Sequence, residues 1–343
     1  MAYPAQMAFK TSWPQQHQSR VTPSGAKPQT LRWRAVRFAV HCAIGLLFLL
    51  LFLRQVDPAI VLAEISRVRQ GPVLIALFAY GLDFLLRAAR FWVLLDKVSG
   101  QRLPWWRVPA PFIASFGISD ILPLRAGDLF RLLWFQRQMT LPTSAVLGAM
   151  MVERFYDLFA LLLLAAGLFS WHFGTGWPIF LALLAGFVAV TALVIQMGDW
   201  AARRDSAHEG WIGRVLNGLF AAIKTFRILR APRLFVGLMG ISLICWLLEA
   251  MVLMGAWIGL GGTMNQWMAP MAAFVASTLG TLLPGLPGHF GTFELFGMEM
   301  FRRGGVTQDF AAAVLLLTHM LLWMPTALFA IFWLPFRGSG KAA

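Results

Sequence analysis

The 343 residues are 59% AVILMFWYC and 13% charged, whereas soluble domains run at about 45–50% apolar with glycine included and about 25% charged. These proportions exclude a water-soluble globular domain. The net charge of +14 does not indicate a nucleic-acid partner, because the cations gather in polar segments beside apolar stretches, which is how a cytoplasmic membrane face is marked.

Residues 1–35 are rich in Pro, Gln and Ser and hold Lys10, Arg20, Lys27, Arg32 and Arg34 with no acid, so they are expected to form a disordered basic cytoplasmic tail. No apolar stretch in them suits a cleaved signal peptide. Six stretches are then long enough to span a bilayer: 36–53, 72–95, 142–168, 178–197, 234–260 and 309–335. Residues 58–70 alternate apolar and charged positions at helical spacing and predict a short surface helix. The loop 198–233 holds Arg203, Arg204, Arg214, Lys224, Arg227, Arg230 and Arg233, whereas 169–177 and 261–268 carry neither Lys nor Arg. That asymmetry places both termini, including the tail 336–343 with Arg337 and Lys341, on the cytoplasmic side of a cell (inner) membrane. Trp171, Trp177, Trp257 and Trp267 are expected in an interfacial aromatic belt. Cys42 and Cys245 lie inside apolar runs and read as small packing residues.

Two further apolar stretches are too short to cross. Residues 108–122 break at Pro123, Arg125 and Gly127; residues 268–283 break at Pro284, Pro287, Gly288 and Gly291. A helix cannot run through either break, and each is followed by a second short helical stretch, 128–138 and 292–303. Each pair therefore predicts a re-entrant helical hairpin. Phe112-Ile-Ala-Ser115 resembles Phe274-Val-Ala-Ser277, each at a similar distance before its proline, and each hairpin precedes a long span. The expected architecture is all-α: six spanning helices and two re-entrant hairpins in an inverted repeat, with halves at 72–197 and 234–335 inside a transmembrane domain 36–335.

Ionisable groups at membrane depth cost several kcal/mol unless paired or hydrated, so each one is a functional candidate. Asp83, Arg87 and Arg90 fall at i, i+4 and i+7 on one helix face, with Asp83 placed to pair with Arg87 and Arg90 able to snorkel to headgroups. Glu153, Arg154 and Asp157 lie in the third span, Glu249 in the fifth without an evident partner, and His319 in the sixth. Asp120, Arg125, Asp128 and Arg131 surround the first break, where Asp120 can end one helix and Asp128 cap the next; His289 and Glu294 surround the second. The six histidines show no metal-ligand spacing, and no phosphate-binding loop, HExxH, GxSxG or GxGxxG motif occurs, so neither metal, cofactor nor nucleotide hydrolysis is expected.

Pro123-Leu-Arg125-Ala-Gly127-Asp128 with Arg131, Glu153-Arg154 with Asp157, and Pro284-Gly-Leu-Pro287-Gly288 with Gly291 and Glu294, joined by Arg90-Phe-Trp92 and Gly305-Val306, resemble the lysylphosphatidylglycerol synthase transmembrane-region family. That family comprises flippase-like bacterial and archaeal membrane proteins, including the membrane half of a bifunctional aminoacyl-phosphatidylglycerol synthase and flippase. Three positions depart from its pattern: Asp128 for the usual Glu, His289 for Gly, and Thr318-His319 for Arg. The sequence ends soon after the last span without a soluble synthase domain, so the resemblance implies lipid translocation rather than aminoacylation. Arg125, Asp128, Arg131, Glu153, Arg154, Asp157 and Glu294 are the expected headgroup site, with Asp83, Arg87, Arg90, Glu249, His289 and His319 as further candidates. Membrane lipids are the expected partners, with a separately encoded lipid-synthesis enzyme or a second copy of the chain beside them. The rival readings are a membrane-embedded lipid-modifying transferase, with Asp128, Glu153 or His289 as base or nucleophile, and a scaffold or regulatory subunit of a lipid-synthesis enzyme.

Overall fold

The computed structural model describes residues 43–122, 125–173, 176–203, 210–283 and 286–336. All regular elements among them are helical: α1 Ala43–Leu53, α2 Pro58–Ser66, α3 Gln70–Ser99, α4 Pro109–Ile121, α5 Ala126–Gln138, α6 Thr143–Phe173, α7 Trp177–Arg203, α8 Gly210–Lys224, α9 Pro232–Gly259, α10 Met268–Gly280, α11 Thr292–Arg303 and α12 Gln308–Phe336. A helix lies over each stretch expected to span as far as it is described, the first of them from residue 43 onward. On length and apolarity α3, α7, α9 and α12 each suffice to cross a bilayer, and α1 with α2 makes a fifth candidate bent by 79°. The longest helix, α6, has 31 residues and carries Glu153, Arg154 and Asp157 along its length. The terminal tails, Pro123, Pro284 and residues 204–209 with Arg204 lie outside the described residues.

The bend between α1 and α2 has a local cause. Asp57 accepts the Ala59 N–H at 2.8 Å, and Pro58 occupies the first helical position, so a new helix starts at the turn. Its start is tied to α12 by the Asp57 N–H, which donates to Asp309 at 3.0 Å. The surface helix expected at 58–70 thus ends earlier, at Ser66.

The two broken stretches each fold into an antiparallel helical hairpin. In α4–α5, Gly127 faces Ser115 and its N–H donates to Ser119 Oγ at 3.1 Å; a Cβ on Gly127 would lie 1.7 Å from the Ser115 carbonyl oxygen. In α10–α11, Gly280 faces Thr292 and Phe296, Gly297 faces Ser277, and Gly304 faces Ala269. Helices of 13, 13, 13 and 12 residues reach only about 18–20 Å, short of the roughly 30 Å hydrocarbon core. Gly127→Ala should therefore lower stability by about 1–3 kcal/mol through overpacking at the α4–α5 contact, read as a fall in the melting temperature in detergent.

The hairpins pack into two apolar clusters. One joins α3, α4, α5, α6 and the 225–230 turn around Phe91, Phe112, Phe135 and Phe226; the other joins α6, α9, α10, α11 and α12 around Trp257, Phe274, Phe301 and Val314. Trp257 is 2% exposed, stacks on Phe301 and donates to the Thr263 carbonyl, so it belongs to the core rather than to an aromatic belt; Trp177 is exposed as a belt residue would be. α4 also lies on α12, where Gly117 meets the Thr326 backbone too closely for any side chain. Arg125 and Gly288, which flank the two breaks, are brought to the same region.

Candidate functional site

The spacing of Asp83, Arg87 and Arg90 turns all three toward α6 and α9. Arg87 Nε donates to both Asp83 oxygens at 2.8 and 2.9 Å, and its Nη2 reaches Glu249 at 2.5 Å while the guanidinium lies over the Trp246 ring. Glu249 therefore has the partner that the sequence did not reveal. Arg90 does not snorkel: it is 1% exposed, donating to Asp157 at 2.6 and 3.0 Å and to Ser242 Oγ at 2.5 Å. The reason is geometric, since α6 and α9 cover this face of α3 and supply the acceptors that headgroups would otherwise provide. Trp246 donates to the Asp157 carbonyl at 2.9 Å.

The first hairpin holds a second set. Arg131, with no exposed surface, donates from Nη1 to Glu153 at 3.1 and 3.2 Å and from Nη2 to Asp128 at 3.3 Å, and lies 5.0 Å from the centres of both the Phe91 and Phe112 rings. Asp128 also accepts from Arg154 Nη2 at 3.0 Å. The expected capping role of Asp128 is not what the structure has. The α5 cap position is Arg125, no side chain caps it, and the Asp128 carboxylate goes to two guanidinium groups instead. Asp120 lies in the last turn of α4 and accepts from Thr326 Oγ1 at 2.6 Å, joining α4 to α12. The Arg125 side chain makes no ion pair or hydrogen bond among the described residues and is exposed; its carbonyl accepts the Asp128 N–H at 2.9 Å, and its backbone is left-handed, with φ 53° and ψ 44°.

At the second hairpin Glu294 Oε2 accepts the Gly291 N–H at 2.7 Å, while its Oε1 meets His319 Nδ1. His319 Nε2 contacts the Gly288 carbonyl at 2.7 Å, and its ring stacks on Phe290. Gly288, His289 and Gly291 all have positive φ, which lets the chain turn sharply here; the glycines allow it without a Cβ penalty. Nδ1 of His289 is buried without a partner.

These sets enclose one cavity of about 450 Å³. Asp83, Arg87, Arg125, Asp128, Arg154, Asp157, Glu249, Gly288, His289 and His319 line it, together with Asp120, Tyr80 and Thr326. Arg90, Arg131, Glu153 and Glu294 do not reach its wall; they stand behind it and hold residues that do. Leu158 and Leu282, both exposed, lie on the wall as well, so polar interior and apolar outer surface meet there. Sequence reasoning overlooked Ser242 and Trp246, although with Glu249 they repeat on α9 the i, i+4, i+7 spacing seen on α3.

A bundle of long apolar helices around buried, paired charges and a cavity lined by charged side chains defines a multi-pass membrane protein. Residues 38–330 match the family described as lysylphosphatidylglycerol synthase TM region, and the chain belongs to that family. No curated protein matches the chain.

Proposed function

We propose that this protein moves a phospholipid, or another lipid with an anionic headgroup, between leaflets without hydrolysing nucleotide, acting as a carrier rather than a catalyst. The observation that carries the reading is Arg125: a cation lining a charged cavity, held in a left-handed conformation and given no anion among the described residues. An unpaired guanidinium beside the start of α5 and near Arg154 suits a phosphate group. Asp120, which likewise has no ion-pair partner among the described residues, and the acids around Arg87 suit a headgroup hydroxyl or amine. The acyl chains would stay in the bilayer past Leu158 and Leu282. In this reading the two hairpins are re-entrant, entering from opposite faces as an inverted repeat, with both termini cytoplasmic in the cell membrane. Arg131–Glu153 and Arg90–Asp157 are the supports that keep the cavity charges oriented.

The test is transfer of headgroup-labelled phosphatidylglycerol in liposomes containing the purified protein and no ATP. Exchange between leaflets should exceed that of protein-free liposomes. Equal rates across several lipid classes, with and without an ion gradient, would count for the scaffold reading instead.

A further inference from the structure

Every carboxylate around the cavity other than Asp120 and Glu294 is held by arginine: Asp83 and Glu249 by Arg87, Asp157 by Arg90, Glu153 by Arg131, Asp128 by Arg131 and Arg154. A guanidinium keeps its proton under all ordinary conditions, so each of those carboxylates has a permanent cation beside it. Glu294 is different. It has no exposed surface, and its one side-chain partner among the described residues is His319, which is 4% exposed.

We infer that Glu294 and His319 form a proton-binding site whose loading and release are coupled to movement of the second hairpin's tip, so that lipid transfer draws on a proton gradient. The inference rests on the lipid-transfer reading for its second half only.

The hydrogen-bond count carries the first half. Both ring nitrogens of His319 face oxygen acceptors, Nε2 the Gly288 carbonyl and Nδ1 the Glu294 carboxyl. A neutral imidazole has one N–H, which the carbonyl requires, so the contact at Nδ1 needs a second proton, on the ring or on Glu294. Without it a lone pair faces a buried carboxylate with no compensating cation, an arrangement that costs several kcal/mol.

The same two residues also fasten the tip. Glu294 holds the Gly291 N–H and His319 holds the Gly288 carbonyl, so one proton shared between α11 and α12 secures both ends of a four-residue turn with three positive-φ positions. His319 lines the cavity and Glu294 does not, so the proton shared between Nδ1 and Oε1 exchanges with cavity water through the imidazole once the tip detaches and frees the ring. No bond other than that to the proton is made or broken. The other titratable or charged groups sharing the cavity are His289 on the same tip, Asp120 from α4, Arg125 and Asp128 from α5, Arg154 and Asp157 from α6, Tyr80, Asp83 and Arg87 from α3, and Glu249 from α9. α1 and α10, which pack on α11, carry no titratable side chain within Ala43–Leu53 or Met268–Gly280. The remaining charges on α11 and α12, Glu299, Arg302, Arg303 and Asp309, lie at the opposite ends of those helices from the tip.

The experiment uses full-length protein in phosphatidylcholine–phosphatidylglycerol liposomes with labelled phosphatidylglycerol as probe and a pH difference across the membrane. Wild type should bias the probe toward one leaflet by up to about tenfold per pH unit for one proton per lipid, and a protonophore should abolish the bias. Glu294→Gln and His319→Gln should lose the bias, Glu294→Gln while keeping an acceptor for the Gly291 N–H. A bias that persists in Glu294→Gln, or wild-type transfer indifferent to the gradient, would overturn the coupling. Infrared difference spectra of purified protein, acid against alkaline, read the site apart from any lipid movement: a carboxyl band missing in Glu294→Gln is expected, together with a matching shift of the His319 ring nitrogens by NMR. If neither signal changes, the proton site is refuted; if both do while no lipid moves, the transfer reading falls and the coupling with it.

Discussion

Arg131→Leu should destabilise the protein by about 3–5 kcal/mol, the cost of leaving a buried charge without its partner. Glu153 is 1% exposed and takes both of its short contacts from Arg131, so the substitution strands a carboxylate between α5 and α6. It also removes the guanidinium that lies over Phe91 and Phe112. Pairing it with Glu153→Met should restore most of the loss, because two apolar groups replace two charges. Thermal unfolding in detergent measures both. If Arg131→Leu melts with wild type, the pair is not what holds the hairpin to α6.

The long helices were legible because each is an apolar run bounded by Pro, Gly or charge, and the hairpins because Pro and Gly forbid a helix at fixed points; α8, Gly210–Lys224, was not, because Arg214 and Asn217 interrupt its apolar positions inside a segment that reads as a basic loop. Asp83–Arg87 was legible for a similar reason, being a contact within one helix at i, i+4. The pairs between helices were not. Arg90 with Asp157, Arg87 with Glu249 and Glu294 with His319 are separated by 67, 162 and 25 residues, and nothing in local spacing says which helix will cover which. The same blindness explains Arg90, which reads as a residue near a span end yet is covered by α6 and α9. It also explains Glu153 and Arg154: adjacent in sequence, they point to different surroundings, one fully buried on Arg131 and the other with a side chain 45% exposed at the cavity.

That difference separates structural from functional substitutions. Arg125→Gln and Arg154→Gln should each slow lipid transfer about 10- to 100-fold, the rate equivalent of losing one charge-assisted hydrogen bond of about 1.5–3 kcal/mol to a phosphate. Neither should lower stability by more than about 0.5 kcal/mol, since Arg125 holds no described partner and Asp128 keeps Arg131 when Arg154 is lost. Glu153→Gln should instead fail mainly through folding. Arg125→Gly sharpens the distinction: it removes the cation and relieves a left-handed backbone that a non-glycine residue holds at a cost of about 1 kcal/mol, so the variant should be at least as stable as wild type yet as slow as Arg125→Gln. Arg302→Gln, an exposed charge paired with Glu299 away from the cavity, serves as the control and should transfer normally. Wild-type transfer by Arg125→Gly would remove the headgroup role from Arg125, because a residue kept in a strained conformation without a partner would then have no function to offset its cost.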